Sequence, residues 1–389
     1  MSDNSPLAIT AIGMASSLGD ATTACAAARA GITRPRELAL TFSVADNLEP
    51  LPLSGHACVH ASGFYGYGKL AALCYTAIND LILSYPDCQF EDLAIIVNSP
   101  NPIQRPALNQ QAFAQKTPGK NLFHQALLEV LPQPLQGAPI YIIEHGEAGL
   151  GKALQAVQQI LGEQQAKKFL LLSADSFLEE TTLETYVLDD RIQTPDLPNG
   201  FTPGEAACAL MVEPIASTQQ QPLASIYHVA VAKETYDFDL DLEDLLSMEL
   251  SESDEAGTDS EEQEQDEVEE KEAEATPGIA YSQVINEAFQ GVTNKNKPWK
   301  GFYNFNGELP KAYEWGQVLT RMTGDLSTLR ELDWETPDLH FGHTGSASLA
   351  IAVCMAIRGA SRGYLSNHNA LICGTSNSGV RTALTLNLP

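Results

Sequence analysis

The residues with the clearest chemical potential lie in a Gly-rich turn, Glu144 to Gly151. An apolar stretch, Ile140 to Ile143, precedes this turn and predicts a strand. An Ala- and Gln-rich stretch follows, with Leu150, Leu154, Val157 and Leu161 at helical spacing. Strand-to-helix junctions of this kind are where open α/β sheets usually place ligands. The turn is therefore the first place to look for a site.

One interpretation of the turn is a phosphate-binding loop. Gly146, Gly151 and Lys152 satisfy the G-x-x-x-x-G-K spacing, and Asp175 ends an apolar run that could supply the acidic partner strand. The next residue, however, is Ala153, where the motif needs Ser or Thr to ligate Mg²⁺. Glu147 would also place a carboxylate inside a cradle for anions. Both departures argue against a nucleotide site.

A second interpretation rests on several stretches taken together. They are Ile9 to Gly19, Ala174-Asp175-Ser176, Gly200 to Leu210 (GFTPGEAACAL), Asn304 to Glu308 (NFNGE), Gly342 to Ser348 (GHTGSAS) and the Gly-rich turn and strand from Cys373 to Leu386. In this order they resemble the β-ketoacyl-ACP synthases of the thiolase superfamily. The resemblance covers nearly the whole chain outside one acidic insertion, and its most specific segments are G-F-x-x-G-E-A and G-H-T.

The resemblance implies positions for the family's catalytic residues. The nucleophilic Cys of the family, which lies at a helix N-terminus, falls on Glu147. The two His of the family fall on Asn306 and His343, and the Lys five residues before the second His falls on Asp338. The gate of the family near the C-terminus corresponds to Ser376 to Arg381, in which Asn377, Ser378 and Gly379 are the expected substrate-binding residues.

The sequence offers no replacement for the nucleophile. From Tyr141 to Leu172 there is no Cys, Ser or Thr, and acyl transfer by the family's route requires a residue that is acylated and then released. We therefore predict that condensing activity is lost. Glu147 could instead act as a general base with His343 as acid. Alternatively, Glu147 caps the first turn of a buried helix and His343 only caps and packs at the start of the helix that follows it.

The resemblance predicts an α/β thiolase-like fold, with two pseudo-duplicated βαβαβ halves in an α-β-α-β-α arrangement of layers. The predicted halves are residues 1–215 and 222–389. The clearest predicted elements are strands at Leu7 to Met14, Leu93 to Val97, Phe169 to Leu172, Ala206 to Val212 and Gly301 to Phe305, and helices at Tyr67 to Leu83, Lys120 to Leu131, Ala312 to Met322 and Thr344 to Ile357. Asn98 to Gly119 is predicted to be loop that can include a short helix, and Thr33 to Ser62 gives few signals.

An acidic insertion, residues 236–277, interrupts the second half. Asp237 to Thr276 contains nineteen acidic residues and one lysine, so this stretch carries −18 of the formal charge of −28. Such a composition cannot bury enough apolar surface to fold alone, and we predict a disordered insertion. A docking segment is the alternative, with its Leu-rich part from Phe238 to Leu246 binding a partner.

The composition of the chain limits its cellular location and the classes of partner that it can bind. The acidic balance argues against binding nucleic acid or an anionic membrane surface, and no stretch approaches the roughly eighteen apolar residues of a membrane span. The seven Cys form no C-x-x-C pair, which favours reduced core thiols over a disulfide framework or a metal site. The start of the chain lacks the basic residues of a signal peptide. A cytoplasmic protein without metal or cofactor is predicted.

Three functions are compatible with these residues. The preferred one is a non-condensing partner subunit or adaptor, which the resemblance pairs as a homodimer or as a heterodimer with an active ketosynthase. An acyl carrier protein and a secretion-system component are further candidate partners, the latter because compact ketosynthase-like chains with similar N-G-E and P-G-E-A-A segments are encoded beside type VI secretion components. The second is an acyltransferase or decarboxylase of altered chemistry that uses Glu147, Asn306 and His343. The third is the P-loop nucleotide binder.

Overall fold

The computed structural model describes residues 6–43, 50–234, 277–290, 299–365 and 368–389. Its strands are β1 (Leu7–Ala15), β2 (Arg36–Phe42), β3 (Leu51–Gly55), β4 (Leu93–Asn98), β5 (Ile140–Ile143), β6 (Lys168–Ser176), β7 (Glu205–Pro214), β8 (Ala224–Lys233), β9 (Trp299–Tyr303), β10 (Trp334–Glu335), β11 (Asn369–Thr375) and β12 (Val380–Asn387). Its α-helices are α1 (Ala21–Arg29), α2 (Gly66–Ser84), α3 (Pro106–Gln115), α4 (Gly119–Val130), α5 (Gly149–Gly162), α6 (Glu180–Leu188), α7 (Ile279–Gln290), α8 (Leu309–Arg321), α9 (Asp338–Phe341) and α10 (Ser348–Ser361). The predicted insertion lies outside these residues, apart from its last residue, Pro277.

Two sets of five strands have the same order and the same directions. The first runs β5-β4-β6-β7-β1 and the second β10-β9-β11-β12-β8. In each set the first three strands are parallel and the remaining pairs are antiparallel. A short antiparallel pairing of β1 with β8, from Leu7 to Ile9, joins the two sets into one ten-stranded sheet. The predicted duplication is therefore present as strand topology.

The helices form layers because the central strands are apolar on both faces. One hydrophobic cluster joins α1, α5 and α10 to the inner faces of both sets of strands. A second packs α2 and α4 on the outer face of the first set, and a third packs α7 and α8 on the outer face of the second. The order of layers is thus α-β-α-β-α, as predicted for a thiolase-like fold.

The polar stretch Asn98 to Gly119 contains the ten-residue helix α3, where the prediction allowed a short helix within a loop. Its Pro106 lies in the first turn, where a missing N–H costs nothing. Other predicted elements differ from the structure. The stretch after Thr33 forms the two-stranded ribbon β2–β3. The helix predicted from Thr344 begins only at Ser348, after a 3₁₀ turn, and the strand predicted from Gly301 to Phe305 is β9, shifted by two residues.

We expect Gly13 in β1 to be essential for the packing of α2. A Cβ atom at Gly13 would lie 2.2 Å from the Ala77 carbonyl oxygen and 2.6 Å from the Leu81 nitrogen, both backbone atoms of α2. Gly13→Ala should therefore lower the free energy of unfolding by about 1–3 kcal/mol, measured by chemical denaturation. Gly68→Ala is the control, because a Cβ at this α2 position meets nothing within 4 Å and should stabilise the helix by up to about 1 kcal/mol. Equal effects of the two changes would contradict this packing.

Candidate functional site

Glu147 lies in the 3₁₀ turn Gly146–Ala148 that leads into α5. The turn is possible because Gly146 adopts a left-handed conformation, with φ of 66°. Glu147 is 3 % exposed, and its side chain does not cap the helix. The interpretation of Glu147 as a helix cap was therefore wrong, since its oxygens bind side chains from the other half of the chain.

Three side chains from the second half surround the Glu147 carboxylate. Lys311, in the first turn of α8, donates a hydrogen bond from Nζ to Oε2 within a buried ion pair. His343 Nε2 lies 3.1 Å from Oε1, and Asn304 donates from Nδ2 to Oε2 at 3.2 Å. Both oxygens of Glu147 are thus occupied, one of them twice.

His343 is held between two carboxylates. Its Nδ1 lies 3.2 Å from Asp338 Oδ2, while Ser348 donates to the other oxygen of Asp338. The rings of Phe177 and Phe201 pack against the imidazole at centroid distances of 4.6 and 4.9 Å. His343 is 1 % exposed and does not act as a helix cap, so its place in the fold is defined by ionic contacts and aromatic packing.

These contacts set the charges of the site. Burial alone would raise the pKa of Glu147, but the Lys311 ammonium and the His343 ring outweigh burial and hold that pKa well below its usual range. Burial alone would lower the pKa of His343, but Glu147 and Asp338 raise it above its usual value. The favoured state is a carboxylate at Glu147 and an imidazolium at His343 that donates from both nitrogens.

Asn306, the other residue predicted for the catalytic set, does not contact Glu147. Its Nδ2 donates to Glu308 Oε2 at 2.6 Å, and Glu308 is paired with Arg191 through Nε at 2.6 Å and Nη2 at 3.1 Å. Burial would raise the pKa of Glu308, but Arg191 lowers it. Asn306 therefore belongs to a second ionic group beside the first.

The predicted gate residues form the turn between β11 and β12. The side-chain oxygen of Asn377 accepts hydrogen bonds from Arg191 at 2.7 and 3.2 Å, so the second ionic group extends to this turn. The Ser376 and Ser378 hydroxyls lie 2.9 Å apart, and Gly379 has φ of 82°. Arg191, from the first half, thus fixes a turn of the second half.

A third charged pair, Arg105 with Asp175, lies beside the segment that carries His343. Arg105 donates to Asp175 from Nε at 2.9 Å and from Nη2 at 2.7 Å, and its guanidinium lies 3.5 Å above the Phe177 ring. Asp175 also accepts from the backbone N–H and hydroxyl of Ser346. Because Ser346 lies three residues after His343, this pair helps to fix the segment that carries the imidazole.

The structure does not support a phosphate-binding loop. A Cβ at Gly149 would lie 2.0 Å from Asn98 Oδ1, and one at Gly151 would lie 2.5 Å from Thr382 Cγ2. These glycines allow close packing of α5 against neighbouring side chains, and the turn holds a buried carboxylate. The nucleotide interpretation therefore loses its structural basis.

Cysteine thiols lie away from His343. Cys373 donates to the Phe302 carbonyl oxygen at 3.6 Å, and Cys208 lies beside Cys354 in the central core. Burial raises the pKa of the Cys373 thiol to about 12. Among the described residues, the side chains hydrogen-bonded to the His343 ring are both carboxylates.

Of the three partners of Glu147 in the second half, the sequence prediction included His343 but missed Lys311 and Asn304. Lys311 is separated from Glu147 by 164 residues, and it stands in a polar helix with nothing in its spacing that indicates a buried site. Asn304 belongs to the segment Asn304 to Glu308, which the resemblance identified, but the catalytic position in that segment was predicted to be Asn306. Asn304 also bonds the Thr375 backbone through both its amide nitrogen and its oxygen.

No family model and no curated protein matches the chain, so the comparisons that inform it are with solved structures. The ishigamide ketosynthase/chain length factor has a TM-score of 0.64 at 16 % identity, with 99 % of each chain covered. The ketosynthase ApeO in complex with its chain length factor ApeC from Xenorhabdus doucetiae has a TM-score of 0.66 at 11 % identity, covering 99 % of this chain and 98 % of that one.

A β-ketoacyl synthase from Burkholderia phymatum gives a TM-score of 0.62 at 11 % identity, covering 99 % of this chain and 100 % of that one. None of the helices within the described residues is long and apolar enough to cross a membrane. The strand order, the layers and the full-length structural likeness agree with one another. The protein has the thiolase-like fold of the ketosynthases and chain length factors.

Proposed function

We propose that the chain is a non-condensing subunit that pairs with an active ketosynthase. The observation that carries this proposal is the state of Glu147, which occupies the expected position of the nucleophile and is neutralised there by Lys311 and His343. A carboxylate held in this way cannot form the thioester on which condensation depends. The scaffold of the enzyme is retained while the atom that carries the acyl group is replaced.

General base catalysis by Glu147 is the weaker alternative. A useful general base has a pKa near the operating pH, whereas Lys311 and His343 hold the Glu147 pKa well below its ordinary range, against the effect of burial. His343 in turn has both ring nitrogens on carboxylates. The charges of the site thus neutralise one another, which favours a structural role for the group over proton transfer.

A pairing surface is available at strand β5. Among the described residues β5 has a neighbour, β4, on one side only, so its outer edge presents unpaired backbone groups. Tyr141 on this strand is 37 % exposed. The neighbour ApeO was solved in complex with its chain length factor, which supports the same kind of association here. Pairing through β5 would continue the sheet of one subunit into the other.

The absence of an acyl acceptor is tested with a carrier protein that bears a Cys-reactive pantetheine arm. We expect no labelling of the native chain, because burial raises the pKa of Cys58 and Cys88 to about 11 and of Cys74 to about 12. Glu147→Cys should be labelled, because Lys311 and His343 would stabilise a thiolate there. Mass spectrometry of tryptic peptides identifies the modified residue. Labelling of a native Cys would contradict the proposal.

Pairing through β5 is tested with Tyr141→Lys, because a charged side chain on an edge strand opposes strand addition. We expect the complex co-purified from the native host to dissociate at least tenfold more readily in this variant, measured by analytical ultracentrifugation. Tyr75→Lys is the matched control, since Tyr75 on α2 is 44 % exposed. A complex unaffected by Tyr141→Lys, or one with no ketosynthase in it, would argue against this assignment.

The ionic group itself predicts strong coupling between its members. Lys311→Met should lower the free energy of unfolding by about 3–5 kcal/mol, because it leaves the Glu147 charge buried without its main partner. Glu147→Gln combined with Lys311→Met should restore most of this loss. Chemical denaturation of the two single variants and the double variant gives the coupling energy. Strictly additive effects would show that the two side chains do not depend on each other.

A further inference from the structure

An apolar groove lies on the surface of the first half of the molecule, near the aromatic rings that pack on His343. It has a volume of about 700 Å³ and runs between the end of β2 and the end of α6. Its lining residues are Leu40, Thr41, Phe42, Ser43, Glu184, Val187, Leu188, Asp190, Ile192, Thr194, Asp196 and Leu197. Neither strand β5 nor Glu147 contributes a residue to the lining of this groove.

The apolar part of the groove is unusually open to solvent. Leu188, the last residue of α6, is 83 % exposed, and Phe42 and Val187 are only half-buried. Exposed apolar surface that is concave and contiguous usually marks an interaction site. The base of the groove is part of a packed cluster, because Ile192 is buried with Phe177 and Phe201, the rings that pack on His343.

Acidic residues lie along the rim of the groove, and two of them lie where the dipole of α6 disfavours a negative charge. Glu184 lies in the middle of α6, and Asp189 and Asp190 lie directly after its last residue, where the helix dipole already presents its negative end. The ion pairs of the described residues do not include these three side chains. The adjacent cation, Arg191, is engaged by Glu308. The rim therefore attracts a positive charge that the described part of the chain does not supply.

We propose that this groove binds a cationic amphipathic segment of a partner protein, with apolar side chains against Leu188 and Phe42 and basic side chains against Glu184 and Asp190. Charge excludes two other occupants. The Leu-rich part of the acidic insertion, Phe238 to Leu246, carries four acidic residues and no basic one, so the rim repels it. A second copy of a chain with a net charge of −28 is disfavoured for the same reason. This surface goes beyond the pairing with a ketosynthase and does not depend on it.

The test uses fluorescein-labelled model peptides and the full chain at 150 mM salt. The probe is a 14-residue helical peptide of Leu and Lys, and two comparison peptides have Glu in place of Lys or Ser in place of Leu. We expect saturable binding of the Leu and Lys peptide by fluorescence anisotropy, and at least tenfold weaker binding of both comparison peptides. Both parts of the groove, apolar and acidic, are thereby tested separately.

Paired variants distinguish the groove from the general acidity of the chain. Glu184→Gln with Asp190→Asn should weaken binding of the probe at least tenfold, and Asn tolerates the left-handed φ of 52° at position 190. Glu91→Gln with Glu129→Gln removes the same charge from exposed positions elsewhere and should change affinity less than twofold. Leu188→Ser should also weaken binding, whereas Leu83→Ser, at an equally exposed position (81 %), should not.

Three results would overturn the proposal. One is equal binding by the groove variants and their controls, which would assign the peptide to the acidity of the chain as a whole. Another is the absence of saturable binding. The third is tighter binding after Leu242→Ser with Leu245→Ser, because it would show that the chain's own insertion occupies the groove. None of these measurements involves Glu147 or β5, so failure here leaves the proposed pairing function untouched.

Discussion

The buried group of Glu147, Lys311, His343 and Asp338 is the interaction on which the rest of this structure depends. Two carboxylates and two cations are removed from water at the centre of the molecule, where an unpaired charge would be very costly. Each member is satisfied by at least one other. Glu147 comes from the first half and the other three from the second, so the charges also tie the two halves together.

The charged pairs around this group are also matched, each with one arginine and one carboxylate. Arg105 with Asp175 and Arg381 with Glu314 are arginine–carboxylate pairs in the interior, and Arg191 with Glu308 is a partly exposed pair of the same kind. Arg191 and Glu308 come from different halves, and Arg191 also reaches Asn377 in the turn between β11 and β12. These pairs connect segments that are far apart in the sequence.

The sequence was sufficient for the fold and for the position of the central residue, but not for the contacts around it. Hydrophobic runs such as Phe169 to Leu172 and the helix from Tyr67 identified the layers, because central strands and helices of this fold are apolar over their whole length. Glu147 and His343 were recognised from short segments that lie in turns, where residue types are constrained. Their contact with each other is a structural finding; the roles predicted for them, and for Asn306 and the gate residues, stay predictions.

Other features gave no local signal. Lys311 lies on a polar helix and acquires its role from a residue 164 positions away. Helix α3 was predicted only as a short helix within a loop, without bounds, because its sequence is polar and amide-rich and its single fully buried side chain, Leu108, provides no periodic pattern. The ribbon β2–β3 was missed because its pairing is irregular between Glu37 and Thr41. In each case tertiary contacts decide the structure, and local propensity does not.

The pairing of charges around Glu147 requires that its carboxylate keeps His343 in its doubly protonated form. Nitrogen-15 NMR of the imidazole, assigned with a His343→Gln variant, measures this state directly. We expect that at neutral pH both Nδ1 and Nε2 of His343 carry a proton, and that the signature of the neutral ring appears only above the ordinary pKa of histidine, near 6.5. A neutral His343 with one bare nitrogen at pH 7 would show that the charges are not paired as described and would leave a base available for chemistry.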